Sequence, residues 1–183
     1  GIRSVVGLIL IDFPSAWASD PEGYLHKGLE VHDQFRGNSL IRTAFAPHAP
    51  YSVGDASLER IRVLADELEI PIHMHLHETQ DEIVQGLQNH GKRPMQRLEA
   101  LGLLSPALMA VHMTHLEDGE IAQFARSGGH VVHCPESNLK LASGFCRVTE
   151  LQRAGINVAL GTDGAASNND LDMFGEMRTA ALL

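Results

Sequence analysis

Three histidines alternate along the segment His73-Met-His-Leu-His77, and Glu78 follows directly. Side chains alternate between the two faces of a β-strand, so a strand here would place three imidazoles on one face. A histidine ligand with a carboxylate three residues later, as in His75 and Glu78, suits a metal site with an adjacent general acid or base. A packed histidine beside an exposed glutamate is the alternative. For a triplet beside Glu78, we favour a functional role.

Two further candidates, Asp163 and His112, end other apolar segments. A carboxylate directly after a buried strand is costly unless it is paired or bound to a metal. The alternative for Asp163 is a turn or helix cap before Gly164. His112 and His115 face opposite ways if both lie on a strand, so we predict that His112 reaches the site and that His115 is structural.

His48 lies between Pro47 and Pro50, which stiffen the loop and direct its imidazole. Substrate contact and a plain turn are equally favoured for His48 by the sequence alone. Residues without an assigned role could line the same rim: His133, Glu136, Ser137 and Asn138. The remaining predictions are structural or surface positions: Cys134 (structural) and His26, His32 and His90 (solvated surface).

Mixed imidazole and carboxylate ligands suit Zn²⁺, and Fe²⁺ or Mn²⁺ are also compatible with them. Water bound to such a metal is deprotonated near neutral pH and becomes a nucleophile. The residues by themselves therefore predict metal-assisted hydrolysis and name no substrate.

The elements that must position these residues are short apolar segments, each followed by a helical pattern. The predicted strands are Ser4–Ile11, Ile41–Ala46, Pro71–His77, Leu108–Met113, His130–Cys134 and Asn157–Gly161. The predicted helices are Tyr24–Arg36, Asp55–Glu69, Gln80–His90, Pro94–Leu101, Glu117–Ser127, Val148–Ala154 and Asp172–Leu183. Continuous apolar strands are typical of a parallel sheet covered by helices. We predict that Asp55 caps its helix and that Gly128 and Gly155 end theirs in a left-handed conformation.

Six strand–helix units leave two α/β architectures, a (β/α)₈ TIM-type barrel and an open doubly wound sheet. No Gly-rich phosphate loop follows any strand, and nearly every polar cluster follows the carboxyl end of a strand, where a barrel builds its active site. We therefore predict one domain over residues 1–183, an incomplete barrel with six of its eight strand–helix units. The chain starts without methionine and ends inside a helical pattern, so we expect an internal fragment.

The composition excludes several classes of protein. The chain has 183 residues, of which 44% are hydrophobic and 20% charged, as in soluble globular proteins. A net charge of −9 argues against nucleic acid or an anionic membrane as partner. We find no apolar run of about 20 residues and no signal peptide. With only two cysteines, we expect a cytoplasmic location.

Four strings resemble the amidohydrolase superfamily: Ala46-Pro-His-Ala-Pro-Tyr-Ser52, His75-Leu-His-Glu-Thr79, Ser137-Asn-Leu-Lys-Leu141 and Gly161-Thr-Asp-Gly-Ala-Ala-Ser-Asn-Asn169. They are most similar to the 5-methylthioadenosine/S-adenosylhomocysteine deaminases, in the branch with triazine chlorohydrolases and guanine deaminases. The resemblance covers essentially the whole chain and implies about the third to eighth strands of the family's barrel. The resemblance implies deamination of adenosine thioethers to an inosine-type product and ammonia, with a small purine nucleoside as partner. The alternatives are a guanine deaminase, a triazine chlorohydrolase, or a non-catalytic scaffold made of a truncated barrel.

The resemblance also implies a role for each matching residue. His75 and Asp163 would bind the metal, with Asp163 also accepting a proton from the metal-bound water and contacting substrate. His112 would hydrogen-bond that water. Glu78 would bind substrate and protonate a ring nitrogen, and His48 would contact the nucleoside. Asn138, Ser167 and Asn168 fall in rim loops of the family without an assigned role.

The chain also departs from the family pattern. The His-x-His on the first barrel strand, an upstream substrate-binding glutamate and a small β-domain have no counterpart among these residues. His73 and His77 cannot replace the missing pair without a different geometry. We therefore predict that the 183 residues alone bind metal weakly and turn over poorly. An open barrel would also expose apolar strand edges, so self-association of the isolated chain is expected and a native homo-oligomer stays open.

Overall fold

The computed structural model describes residues 1–183, which form one sheet of six parallel strands in chain order. The strands are β1 (Ser4–Leu10), β2 (Ile41–Pro47), β3 (Ile72–Leu76), β4 (Leu108–His112), β5 (His130–His133) and β6 (Asn157–Leu160). Every predicted strand is present, and the ends agree to within one residue. The strands were identified as short apolar runs, but the burial on both faces that such runs suggest is not observed: β3 alternates between buried and partly exposed residues, and β1 and β6 are largely exposed because they are the edges of the open sheet.

Eight helices connect and follow the strands. They are α1 (Pro21–Gln34), α2 (Asp55–Leu68), α3 (Gln80–His90), α4 (Pro94–Ala100), α5 (Asp118–Ser127), α6 (Pro135–Lys140), α7 (Val148–Arg153) and α8 (Met173–Leu182). The sequence did not predict α6, whose six residues are too few to show a helical period. None of the eight helices is long and apolar enough to cross a membrane.

The strand order identifies the architecture. Six parallel strands in unbroken chain order are the arrangement of a (β/α)₈ barrel, whereas a doubly wound sheet reverses its order at a switch point. The sheet is open, with β1 and β6 at its two edges. The predicted incomplete α/β barrel is therefore confirmed.

The helices pack on the face of the sheet that carries the apolar core. On β3, Ile72, Met74 and Leu76 are buried in a cluster of 27 core residues. The alternate residues, His73 and His75, face the other side and are partly exposed. The period of two along β3 thus separates a packing face from a face that is available for chemistry.

Two predicted helix ends agree with the structure and one does not. Gly128 (φ +74°) and Gly155 (φ +80°) adopt the left-handed conformation after α5 and α7, as predicted. Asp55 was predicted as the cap of α2, but Gly54 occupies that position. Asp55 lies one residue further and pairs with Arg97 of α4 at 2.6 Å, because the buried guanidinium is a better partner than a backbone N–H in water.

Candidate active site

Three side chains of the types that bind metal ions meet at the carboxyl edge of the sheet. His75 lies on β3, His112 ends β4, and Asp163 follows β6. One donor atom from each lies within 4.8 Å of the other two. The register pairs His75 with Val111 and Val111 with Val132, so neighbouring strands end at similar heights and their terminal side chains converge.

The imidazole of His75 is oriented by a backbone carbonyl. Nδ1 of His75 donates to the carbonyl oxygen of His48 at 2.7 Å. A proton on Nδ1 leaves the lone pair on Nε2, which is the arrangement typical of metal-binding histidines. The rings of His75 and His112 stack with 5.4 Å between their centroids. His75 can therefore present Nε2 to an ion without rearrangement.

His112 is buried between a polar amide and two carboxylates. Its Nδ1 donates to Oδ1 of Asn138 at 2.8 Å. Its Nε2 lies 3.8 Å from Oε2 of Glu78 and 4.0 Å from Oδ2 of Asp163. Burial lowers the pKa of His112, while the negative charge of Glu78 acts in the opposite direction. A neutral ring with its proton on Nδ1 leaves Nε2 as an acceptor between the two carboxylates.

Asp163 is held in its ionised form. Burial alone would raise its pKa, but hydrogen bonds from the Ser137 hydroxyl and the Gly164 N–H outweigh burial and lower it. Oδ2 accepts from Oγ of Ser137 at 2.6 Å, and Oδ1 accepts from the Gly164 N–H at 2.8 Å. Asp163 thus enters the cluster as a fixed anion, which is the charge state that a metal ligand requires.

Glu78 lies beside the cluster with its side chain 16% exposed. Oγ of Ser143 approaches Oε1 at 3.4 Å, a long hydrogen bond. The backbone carbonyl of Glu78 accepts from the hydroxyl of Thr114 at 2.7 Å. The carboxylate is close enough to His112 and open enough to reach a ligand in the mouth of the site.

His48 lies on the rim of the cluster and is partly buried. Its ring meets those of His75 and Tyr51 edge to face, at centroid distances of 5.1 and 5.8 Å. Its Nδ1 is bonded to Oγ of Ser52 at 2.8 Å. Burial and the neighbouring His75 lower the pKa of His48, which favours a neutral ring. The proline-rich loop therefore forms a wall of the site.

Strained backbone is concentrated at these strand ends. His77 (φ +53°), His112 (φ +76°), Met113 (φ +52°) and Asp163 (φ +62°) all have a positive φ without being glycine. Such conformations cost free energy and persist only where the surrounding contacts hold them, as they often do at functional sites.

His77 does not join His75, so the prediction of three imidazoles on one face is wrong. The left-handed backbone of His77 directs its ring away from the site, where it is fully buried. Its Nε2 accepts from the Met95 N–H at 3.1 Å, and its Nδ1 lies 3.7 Å from Glu120. Alternation along a strand does not predict the side chain that follows the last strand residue.

Of the other predictions for single residues, most agree with the structure and one is wrong. His115 is structural, as predicted, since its Nε2 bonds the Ser143 carbonyl at 2.6 Å. Burial raises the pKa of Cys134 to about 12, which agrees with a structural role. His26 and His90 are exposed, but His32 was wrongly predicted as solvated surface. It is partly buried and bonds the Thr43 hydroxyl at 2.7 Å, because α1 packs on β1 and its last turn reaches the neighbouring β2.

The sequence analysis missed several residues that support the site. They are Glu82, Thr114 and Ser143, which bond the candidate residues or their backbone. Ser137, which was predicted on the rim without an assigned role, bonds Asp163 from the short α6. A signal existed for Glu82, since Thr79-x-x-Glu82 has the spacing of a helix capping box. The others lie in loops or on the short α6, and only the tertiary structure brings them close to the cluster.

Comparisons with known proteins identify the family of the chain. The model of the amidohydrolase family matches residues 1–183. A curated relative from Saccharophagus degradans, named 5-methylthioadenosine/S-adenosylhomocysteine deaminase, is 55% identical over 183 residues. That alignment includes all of this chain and 41% of the relative. The chain therefore spans about two fifths of the length of such relatives.

Solved structures show the same fold. An adenosine deaminase from Xanthomonas campestris with bound zinc has a TM-score of 0.96 and 58% identity, over 98% of this chain and 41% of that one. A guanine deaminase from C. acetobutylicum with guanine in its active site has a TM-score of 0.88 and 25% identity, over 98% and 44%. The family model matches the chain along its whole length, and the candidate residues lie at the carboxyl edge of the barrel sheet. The chain therefore belongs to the amidohydrolase family.

Proposed function

We propose that the whole protein containing this chain is a metal-dependent aminohydrolase that deaminates 5′-methylthioadenosine and S-adenosylhomocysteine. The products are the inosine-type nucleoside and ammonia. The observation that carries the proposal is the convergence of His75, His112 and Asp163 within 4.8 Å, with Glu78 beside them. The names of the relatives support the substrate class, and residues 1–183 would form one part of the barrel domain.

The donor set fits a divalent metal. His75 directs a free Nε2 into the site because Nδ1 is bonded to the His48 carbonyl, and Asp163 contributes an ionised oxygen. These two residues would hold the ion, for which Zn²⁺ is favoured and Fe²⁺ or Mn²⁺ are compatible. When bound, a divalent metal supplies a water acidified to near-neutral pKa. The similar adenosine deaminase structure from Xanthomonas campestris contains zinc, which supports the choice of zinc.

His112 and Asp163 would orient and deprotonate the attacking water. Nε2 of His112 faces the gap between the two carboxylates, where it can accept a hydrogen bond from a water in the site. Asp163 would take the proton of that water. Each oxygen of Asp163 accepts one hydrogen bond, Oδ1 from the Gly164 N–H and Oδ2 from the Ser137 hydroxyl, and keeps a second lone pair for the metal or the proton.

Glu78 would act as the general acid. Its carboxyl group would donate a proton to a ring nitrogen of the purine, which makes C6 electrophilic. The amine would then leave as ammonia with the proton that Asp163 took from the water. Glu78 would assist this step by taking back a proton from the new C6 hydroxyl as it becomes a carbonyl. His48, on the rim beside His75, would contact the nucleoside together with Glu78 and Asp163. The half-exposed ring of Tyr51 extends that wall toward the solvent.

The test is ammonia release by the whole protein loaded with zinc. The substrates are 5′-methylthioadenosine, S-adenosylhomocysteine, adenosine, guanine and a chlorotriazine. Glu78→Gln should lower kcat on the adenosine thioethers by about 10²- to 10⁴-fold, since it removes the acid–base group. Glu99→Gln, an exposed glutamate on α4, is the matched control and should leave kcat unchanged.

The alternatives give different results in the same assay. If the protein acted only on guanine, or only released chloride from the triazine, the metal-dependent barrel enzyme would stand, but the proposed substrate would be wrong. No turnover and no retained metal would favour a non-catalytic barrel. Prolonged chelation of the active protein should abolish ammonia release, and zinc should restore it. Full activity after complete metal removal would contradict the proposal.

A further inference from the structure

A second carboxylate, Glu82, lies directly behind Glu78 and is almost completely buried, at 2% exposure. Its Oε1 accepts from the N–H of His77 at 2.9 Å, and its Oε2 accepts from the N–H of Glu78 at 2.8 Å. One carboxylate thus binds two consecutive peptide N–H groups. The side chain of Glu82 makes no contribution to the metal cluster.

The two N–H groups converge because His77 is left-handed, with φ +53°. Consecutive N–H groups that point to the same side form a concave anion site, and the Glu82 carboxylate is the anion in it. Glu82 belongs to the first turn of α3, and its own N–H is bound by the hydroxyl of Thr79 at 3.2 Å. The end of β3 is thereby tied to the start of α3.

The carbonyl groups of His77 and Glu78 are also hydrogen-bonded. The hydroxyl of Thr114, after β4, shares its proton between the carbonyl oxygens of His77 at 3.0 Å and Glu78 at 2.7 Å. The backbone of Glu78 is therefore bound on its N–H side by Glu82 and on its carbonyl side by Thr114.

The side chain of Glu78 has little else to orient it. Its one hydrogen bond, from Ser143, is long at 3.4 Å. The direction of the carboxylate into the site therefore depends on where the backbone places Cα and Cβ. A change in the peptide between His77 and Glu78 would move the carboxylate relative to His112.

We propose that Glu82 is a positioning residue, which fixes the backbone of Glu78 so that its carboxylate reaches the purine ring. The inference rests on the proposed deaminase function. Both carboxylate oxygens are needed, because a glutamine would offer one acceptor and turn an NH₂ group toward the second N–H.

The test compares Glu82→Gln with Ile83→Val in the whole protein. Ile83 is buried on the same helix, so its truncation loosens the packing of α3 without removing either hydrogen bond. Glu82→Gln should lower kcat on the adenosine thioethers by roughly 10- to 100-fold, because small displacements of a catalytic group have effects of that size. KM should change less than kcat. Ile83→Val should leave kcat within about twofold.

Hydrogen–deuterium exchange gives a second readout that does not need activity. In Glu82→Gln, peptides spanning residues 75–80 should exchange faster than in the wild type, and in Ile83→Val they should not. Wild-type kcat together with unchanged exchange in Glu82→Gln would overturn the proposal. An inactive wild type would overturn the proposed function, while the exchange comparison would still decide whether Glu82 fixes the backbone of Glu78.

Discussion

At the scale of single residues, the hydrogen-bond partner behind each histidine of the cluster determines which way its ring points and which nitrogen faces the site. His75 receives its orientation from the His48 carbonyl, and His112 receives its orientation from Asn138. In each histidine the acceptor at Nδ1 fixes the tautomer, with the proton on Nδ1 and the lone pair on Nε2. The chemistry proposed for the cluster therefore depends on partners that lie 27 and 26 residues away along the chain.

Asn138→Leu should impair both activity and stability. The change leaves the Nδ1–H of His112 buried without an acceptor, which costs about 1–3 kcal/mol of unfolding free energy. It also lets the ring adopt the other tautomer, which blocks Nε2 as an acceptor, so kcat should fall at least about tenfold. Asn138→Asp is the control, since it keeps an oxygen at the same position. Ammonia release and chemical denaturation measure the two effects, and equal kcat values for both variants would contradict the prediction.

His77 should make the stability of the protein depend on pH. Burial, the largest effect, lowers its pKa to about 4 from a usual value of 6.5. The folded state therefore binds the proton more weakly than the unfolded state. The contribution of the neutral ring is fully present above pH 6.5 and is lost as the pH falls toward 4, by about 3 kcal/mol in all.

His77→Gln isolates this contribution, since its amide oxygen can still accept from the Met95 N–H. Other groups titrate over the same range, including Glu82, whose pKa burial raises to about 7. Those groups are present in both proteins and cancel in the comparison. Denaturation between pH 4 and 7 should show a smaller loss of stability on acidification for His77→Gln. Parallel curves for the two proteins would show that His77 is not responsible.

At the scale of elements, helices and loops hold the site through buried side chains. Arg97 on α4 is 5% exposed and pairs with Asp55 at the start of α2. It also donates to the carbonyl oxygens of Pro50 and Val53, in the loop that carries His48. One guanidinium therefore joins two helices to a wall of the site, which only its planar set of five donors allows.

Arg97→Lys should lower the unfolding free energy by about 2 kcal/mol, because a lysine leaves buried carbonyl oxygens without donors. Arg62→Lys is the matched control. Arg62 pairs with Asp66 on the surface of α2 at 3.3 Å, and such pairs contribute about 0–1 kcal/mol. Urea denaturation of both variants measures the difference. A loss for Arg97→Lys no larger than for Arg62→Lys would contradict this role.

At the scale of the whole molecule, the open sheet leaves apolar surface on β1. Val5, Val6 and Ile9 are 58%, 37% and 44% exposed on this edge strand. A long edge strand with exposed apolar side chains is a template for pairing with another chain. The net charge of −9 opposes association but is spread over the molecule.

The isolated chain of 183 residues should therefore self-associate at micromolar concentrations. Val5→Lys should shift it toward the monomer, because a charge on the edge strand opposes pairing. Val84→Lys, at an exposed position on α3, places the same charge away from the edge and should have little effect. Sedimentation velocity distinguishes the species. A monomeric wild type, or equal effects of both substitutions, would contradict the prediction.

The amino-acid sequence by itself determined the elements and most of the candidate residues. Continuous apolar segments identified all six strands, because a short apolar run between turns is a local pattern that needs no knowledge of neighbouring segments. His75 and Glu78 were identified from the histidine triplet followed by a carboxylate. Asp163 was identified because a carboxylate directly after a buried strand is costly unless it is paired or bound to a metal, and His112 because it ends an apolar segment. The resemblance to the amidohydrolase superfamily added the chemistry that these residues would perform.

The tertiary structure alone decided which side chains meet. Alternation predicted that His77 would join His75, but a positive φ at His77 turned its ring into the protein. Glu82 behind Glu78 and Asn138 behind His112 depend on backbone and side-chain positions in separate elements. Local sequence patterns report periodicity and burial, whereas hydrogen-bond partners are set by the packing of distant segments. For that reason the strands and the candidate residues were predictable, and the contacts that orient them were not.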